Sequence, residues 1–217
     1  MAIFDRISAG YGRPNGSGLL RRSFLRALGL VVALPLLANA AAADEEAETF
    51  IRSLGDTAVN QLTAPDLSNA ERNERFRELL LSHFDVPQIG QYVLGRYWRS
   101  ATPEEQSEYL GLFEDYLVAS YARRFAEYTG QEFEVISSRS SDGLETVRSH
   151  IVTGNGEAAK LDWILERQGS GLRILDLKVE GLSMSETHRS EFASVIQNNG
   201  GKVAALLDAL RKKAAGA

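Results

Sequence analysis

The hydrophobic period of this chain changes at Gly130. Before it, apolar residues recur every three or four positions; after it, they alternate. A helical face and a strand face need different periods, so the change sets an order of helices first and sheet second. Residues 47–62 place Phe50, Leu54, Ala58 and Leu62 on one helical face, and Pro65 breaks that helix. Ser68 and Glu71 form a capping box for a helix reaching about Ser82, with Phe76, Leu79, Leu80 and Phe84 as its buried side. Asp85-Val86-Pro87 caps a short helix that turns Ile89, Val93 and Leu94 inward and ends near Gly95. Thr102-Pro103-Glu104-Glu105 is a second capping box, with proline where a missing N–H costs nothing. It opens a long helix carrying Tyr109, Leu112, Phe113, Tyr116, Leu117, Tyr121, Phe125 and Tyr128, which Gly130 is expected to close.

The alternating part contains four runs. They are marked by Phe133 and Val135; by Val147, Ser149 and Ile151; by Leu161, Trp163 and Leu165; and by Leu175, Leu177 and Val179. Ser141-Asp142-Gly143, Gly154-Asn155-Gly156 and Gln168-Gly169-Ser170-Gly171 separate them, and all are turn chemistry. Short turns join antiparallel strands, so a four-stranded meander is predicted. Helix returns after Ser183, whose partner Glu186 suggests a third capping box. Phe192, Val195 and Ile196 face inward there, and Gly200-Gly201 stops the helix. A last helix buries Val203, Leu206, Leu207 and Leu210 and ends at Lys212-Lys213, a favourable helix C-terminus. The fold class is α+β, a single domain with helices packed on one antiparallel sheet of four strands or slightly more.

Residues 1–43 read differently. Arg21-Arg22-Ser23-Phe24-Leu25-Arg26 precedes the apolar run 27–37, and Ala38-Asn39-Ala40 and Ala41-Ala42-Ala43 both fit a small-residue cleavage site. This is an N-terminal extension followed by an export signal resembling the twin-arginine type, so cleavage and a periplasmic location are expected, with the mature domain at 44–217. The apolar run is shorter than the roughly 20 residues a spanning helix needs. No segment after residue 43 is long and apolar enough to cross a membrane. Five arginines and one aspartate of the 24 basic and 29 acidic residues lie before residue 44, which leaves a net charge of −9 on the remainder. That balance argues against nucleic acid and against firm docking on anionic membranes. The chain has no cysteine, so its core alone must hold it.

Catalytic patterns are scarce. His83, His150 and His188 lack the spacing of a zinc motif and read as surface histidines. Gly154-Asn155-Gly156-Glu157-Ala158-Ala159 matches a dinucleotide-binding string, but a strand follows where a helix N-terminus is required. No Gly-x-Ser-x-Gly elbow occurs, and Glu104-Glu105 sits where the helix dipole already favours acids. No cofactor, metal or catalytic residue is expected. The alternative is an envelope hydrolase with an unrecognised triad, which needs a Ser or Asp within hydrogen-bond reach of His150 or His188. Arg96 and Arg99 beside Trp98 could meet a phosphate, but read first as solvated or carboxylate-paired arginines.

Amphipathic aromatics suit pocket walls as well as cores, and Tyr97, Trp98, Tyr109, Tyr116, Tyr121 and Tyr128 gather near one helix. "VLGRYWRSATPEEQSEY" (Val93 to Tyr109), "YTGQ" (Tyr128 to Gln131) and "LDLKVEGLSMSETHRSEF" (Leu175 to Phe192), with a Gly-Gly helical tail, resemble the MlaC/toluene-tolerance family over about residues 48–210. The resemblance implies a curved antiparallel sheet and helices enclosing an apolar cavity for acyl chains. It implies a carrier of phospholipid, or of a hopanoid-like or other hydrophobic ligand. The implied partners are an inner-membrane ABC lipid transporter with a substrate-binding ring and an outer-membrane lipoprotein complex. From the helical and strand faces, the expected cavity wall is Val93, Leu94, Tyr97, Trp98, Leu110, Phe113, Leu117, Tyr121, Trp163, Leu165, Leu175, Leu177, Val179, Leu182 and Phe192.

Overall fold

The computed structural model describes residues 34–152, 156 and 158–215, with side chains from residue 44 to residue 214. The expected export signal lies outside the described residues, apart from helical backbone at 34–43. Among the described residues there are six α-helices: α1 (Leu34–Leu62), α2 (Asn69–His83), α3 (Val86–Leu94), α4 (Pro103–Tyr121), α5 (Met184–Asn198) and α6 (Val203–Ala215). The strands are β1 (Glu132–Ser141), β2 (Leu144–Val152), β3 (Ala158–Gln168), β4 (Gly171–Val179) and β5 (Leu182–Ser183). They form one sheet in the order β1-β2-β3-β4-β5, antiparallel throughout. The α+β meander is as the sequence implies, with two residues added as a fifth strand. Glu180 and Gly181, at φ 51° and 81°, make the two-residue turn that leads into β5.

Local caps explain the helix starts. Ser68 Oγ accepts from the Glu71 N–H at 3.2 Å, and the Ser68 N–H donates to the Glu71 carboxylate at 3.1 Å. Thr102 and Glu105 repeat the exchange at 3.2 and 2.9 Å. The third box is only half formed. Ser183 Oγ accepts from the Glu186 N–H at 3.0 Å, but the Glu186 carboxylate accepts from the Tyr92 hydroxyl of α3 instead of returning to its own cap.

Two expectations are corrected by distant contacts. The long helix does not run to Gly130. It ends at Tyr121 and tightens to a 3₁₀ segment over Ala122–Glu127. That tighter winding carries Phe125 away from the α4 face and against Phe76, with ring centroids 5.8 Å apart. In β4 the predicted run Leu175, Leu177, Val179 changes phase at a bulge. Trp163 pairs with Leu177, but Leu165 pairs with Ile174, so Leu175 is the extra residue. Leu172 and Ile174 are the buried residues of that strand. The bulge coincides with a bond from the α2–α3 corner, where the Asp85 N–H donates to the Ile174 carbonyl at 3.0 Å.

Arg72 holds the α1–α2 corner. It is 5 % exposed, and its Nε donates to the Leu62 carbonyl at 2.9 Å while Nη2 donates to the Leu67 carbonyl at 3.1 Å. These carbonyls belong to the end of α1 and its connecting loop, where helical partners run out. Arg72→Met is therefore expected to cost about 2–3 kcal/mol, through acceptors left buried and unpaired. Arg75→Ala, which removes one exposed bond to the Gln61 carbonyl, is expected to stay within about 0.5 kcal/mol. Urea midpoints of the two variants check the difference.

Candidate functional site

Burial is divided between two apolar clusters. One is helical, built from α3 (Val86, Ile89, Val93, Leu94), α4 (Tyr109, Phe113, Leu117, Val118), α5 (Phe192, Ile196) and the apolar face of α6. The other joins α1 (Ala47, Ile51, Leu54, Leu62) to the sheet residues Val147, Leu165, Leu172 and Ile174. Phe76 and Phe84 pack against both. Around them aromatic rings meet in pairs: Phe76 with Phe125 at 5.8 Å, Phe84 with Trp163 at 6.5 Å and Phe133 with Trp163 at 6.3 Å. This aromatic seam lies between sheet and helices.

On the sheet side, the strand register brings Ser149, Leu161 and Val179 into one cross-strand row and Val147, Trp163 and Leu177 into the next. Trp163 is oriented by its indole N–H, which donates to the fully buried Ser149 hydroxyl at 2.8 Å. Ile151, Leu177 and Val179 are half-buried and belong to neither cluster. Leu177, the cross-strand partner of Trp163, and Val179 form an apolar ledge beside it, and Ile151 lies further along β2.

The helical bank carries a buried polar group. His188 is 6 % exposed, so it is not the surface histidine its sequence context suggested. Tyr121 Oη lies 2.8 Å from its Nε2, Tyr116 Oη 3.2 Å from its Nδ1, and the Glu191 carboxylate 3.3 Å from the same Nδ1. The tautomer protonated on Nδ1 satisfies the set: Nδ1–H donates to Glu191, and the Tyr121 hydroxyl donates to Nε2. The nonlocal tyrosines that bury His188 lie 67 and 72 residues away, so no sequence spacing reports them. Its hydrogen-bond partners among the described residues are two tyrosines and a glutamate, so the Ser or Asp that the hydrolase alternative requires does not meet it. His83 caps its own helix through the Leu79 carbonyl at 3.0 Å, and His150 is half-buried on β2. Among the described residues no cluster of three His, Asp or Glu side chains is arranged to hold a metal ion.

The fifteen expected wall residues divide accordingly. Val93, Leu94, Phe113, Leu117 and Phe192 lie inside the helical cluster, and Tyr97, Trp98, Leu110 and Tyr121 pack on its edge. Leu165 is inside the sheet cluster and Trp163 stands against it. Leu177 and Val179 belong to the ledge, and Leu175 sits at the bulge. Leu182, the first residue of β5, is 70 % exposed and pairs across the strands with Val179. Phe76, Phe84, Phe125 and Phe133 complete the seam. Their helical and alternating spacing marked them as buried without showing that they face one another.

An open groove of about 800 Å³ lies elsewhere, at the α1 end of the sheet. Glu45, Glu46, Gln168 and Arg173 line it alongside Phe50 and Leu172, a mixed and partly charged lining unlike the aromatic seam.

Residues 52–212 match the family model described as MlaC protein. The chain belongs to the MlaC family. Among its MlaC-type relatives is "Toluene tolerance protein ttg2D" of Pseudomonas putida, 27% identical over 194 residues that cover 88% of each protein. The "Intermembrane phospholipid transport system binding protein MlaC" of Haemophilus influenzae is 23% identical over 129 residues, covering 57% of this chain and 60% of that one. A solved phospholipid-binding protein from Ralstonia solanacearum, in complex with a phospholipid, superposes with a TM-score of 0.71 at 28% identity. The match covers 79% of this chain and 98% of that one. The MlaC fold thus accounts for the α+β layout described above.

Burial of the tyrosines gives a test of the helical bank. Desolvation pushes the Tyr121 hydroxyl up to about 12, and it raises Tyr109, whose hydroxyl donates to the Gly90 carbonyl at 3.0 Å, further still. Both groups hold their protons more tightly folded than unfolded. Their stabilising contribution is complete below the ordinary tyrosine value near 10 and is lost as pH rises toward 12. Alkaline titration is expected to show their tyrosinate absorbance appearing together with loss of helical circular dichroism. Ionisation of every tyrosine ahead of unfolding would contradict the burial.

Proposed function

We propose that this chain is a periplasmic lipid carrier that takes phospholipid acyl chains into the aromatic seam between sheet and helices. The observation that carries the reading is the seam itself. The two apolar clusters share only Phe76 and Phe84 among the described side chains, and the half-buried ledge of Leu177 and Val179 borders them. Acyl chains inserted there would extend a continuous apolar layer without uncovering either cluster. The phospholipid complex of the Ralstonia relative supports the ligand class.

The physical task fits the residues. A methylene moved from water into an apolar site gains about 0.8 kcal/mol, so a sixteen-carbon tail gains on the order of 12 kcal/mol. A carrier has to supply that apolar surface and leave the headgroup in water. It needs no nucleophile or general base, which agrees with the engagement of His188 by tyrosines and a glutamate. The basic and apolar leader of residues 21–37 supports export to the periplasm. The name of the Haemophilus relative supports a place in intermembrane phospholipid transport. In that role the chain shuttles between an outer-membrane lipoprotein complex and an inner-membrane ABC transporter, whose ATP hydrolysis drives the direction.

Purification without detergent, followed by native and denatured mass measurement and solvent extraction, tests the ligand class. A stoichiometric phospholipid is expected. A hopanoid would change the cargo, and a protein that stays empty and refuses added lipid would contradict the carrier reading. Val179→Trp fills the ledge and is expected to lower lipid content several-fold while stability changes by less than about 1.5 kcal/mol. Phe113→Ala, inside the helical cluster, is expected to cost about 3–5 kcal/mol. Urea unfolding and lipid quantification on the two variants separate ledge from core.

A further inference from the structure

The solvent side of α3 carries a second feature that the lipid seam does not use. An open groove of about 570 Å³ runs between α3, the 3₁₀ segment Gly95–Arg99 and α5. Arg96, Arg99 and Arg189 line it, together with Tyr92 and Trp98. No Asp, Glu or Lys is among its lining residues. Among the described residues none of the three guanidiniums has a carboxylate within 4.0 Å, so of the two readings for Arg96 and Arg99, solvated or carboxylate-paired, the solvated one holds. This basic groove belongs to a chain of net charge −5.

Two of the three guanidiniums are held in place. Arg189 lies over the Tyr92 ring at 4.8 Å, and its Nη1 donates to the Tyr92 carbonyl at 3.0 Å. Arg96 lies over the Tyr97 ring at 4.9 Å and donates to the Tyr97 hydroxyl at 2.9 Å. Gly95 forms the floor. Its φ of 59° with ψ of −127° suits glycine alone, and a Cβ there would lie 3.1 Å from the Arg189 guanidinium. Stacked, pre-oriented arginines lose less freedom on pairing than free ones.

We infer that this groove docks an acidic segment of a protein partner. Arginine, tyrosine and tryptophan are the residue types that dominate protein–protein hot spots, and they make up five of the groove's lining positions. Guanidiniums pair with carboxylates through two parallel hydrogen bonds. Gln88 and Gln91, exposed one turn apart on α3, add amides that can bond the backbone of an extended segment. Concavity favours a chain segment over a bilayer, whose surface is flat. One carboxylate, Glu186, lies at the groove's edge and accepts from the Tyr92 hydroxyl, against three lining arginines, and beyond about 8 Å salt screens the rest of the chain's negative charge, so the local balance stays positive. The inference is independent of the cargo carried in the seam.

A photo-crosslinking residue at Gln91, in the full chain expressed in cells, tests it. The expected adduct is a protein whose crosslinked peptide contains clustered Asp or Glu. Arg96→Glu with Arg99→Glu is expected to lower its yield roughly tenfold or more, and Arg99→Gln alone to lower it less. Reversal of the partner's acidic residues to arginine is expected to restore the adduct with the Glu variants. An adduct that persists in the Glu variants overturns the inference. So does one found only on lipid, with anionic phosphatidylglycerol vesicles sedimenting the unaltered chain but not the variants, or one that the charge swap fails to restore. Circular dichroism confirms that each variant is folded, and its lipid content, measured alongside, reports on the carrier reading separately.

Discussion

Contact between the helical and sheet-borne apolar clusters runs through Phe76 and Phe84, the side chains that pack against both. The other features of the site follow from that narrow junction. Each cluster draws mainly on its own elements, α3 to α6 around Tyr109 and Phe113 on one side and α1 with β2 to β4 around Leu165 and Ile174 on the other, while α2 gives Leu80 to the first and Leu79 to the second. Two clusters that share few side chains would part at less cost than one continuous core. One dense, continuous core would lose packing throughout if it were opened. Ring-to-ring contacts at 5.8 to 6.5 Å suit this role, because flat faces can exchange one apolar neighbour for another.

Polar groups at the banks set the boundaries of the seam. The bond from Trp163 to Ser149 fixes the indole on the sheet, and the contacts of His188 with Tyr116 and Tyr121 tie α5 to α4. Arg77 reaches from α2 to both Glu114 and Asp115 of α4 and anchors α2 to the helical side. These links lie within one bank or the other. The basic groove on α3 stands on the solvent surface of the same helix that buries Val93 and Leu94, so the proposed docking leaves the helical cluster covered.

Features set by nearest neighbours were legible in the sequence. The capping boxes at Ser68 and Thr102 are local exchanges, and the change of period at Gly130 reflects which face each short segment must bury. The features that escaped depend on contacts far along the chain. Leu175 loses its inward place because β4 bulges beside the bond from Asp85, 89 positions earlier, to Ile174. Glu186 abandons its own cap for the Tyr92 hydroxyl, 94 positions away. His188 is buried by α4 tyrosines that no spacing rule connects to it. The fifteen wall residues chosen by periodicity identified apolar faces. Periodicity could not separate the interior of a cluster, where Phe113 sits, from the ledge that holds Val179, because both present the same pattern in one dimension.

The central claim is that sheet and helical cluster move apart to admit acyl chains. The absence of cysteine allows spin labels at introduced pairs alone. The distance between labels at the exposed positions Lys160 on β3 and Ser190 on α5 tests the claim most directly, with Ser107 on α4 and Ser190 as a pair within the helical bank. Loading with phospholipid is predicted to lengthen the first distance by several ångströms, roughly the width of an acyl chain, and to leave the second unchanged. Stoichiometric lipid binding with both distances unchanged would contradict the account.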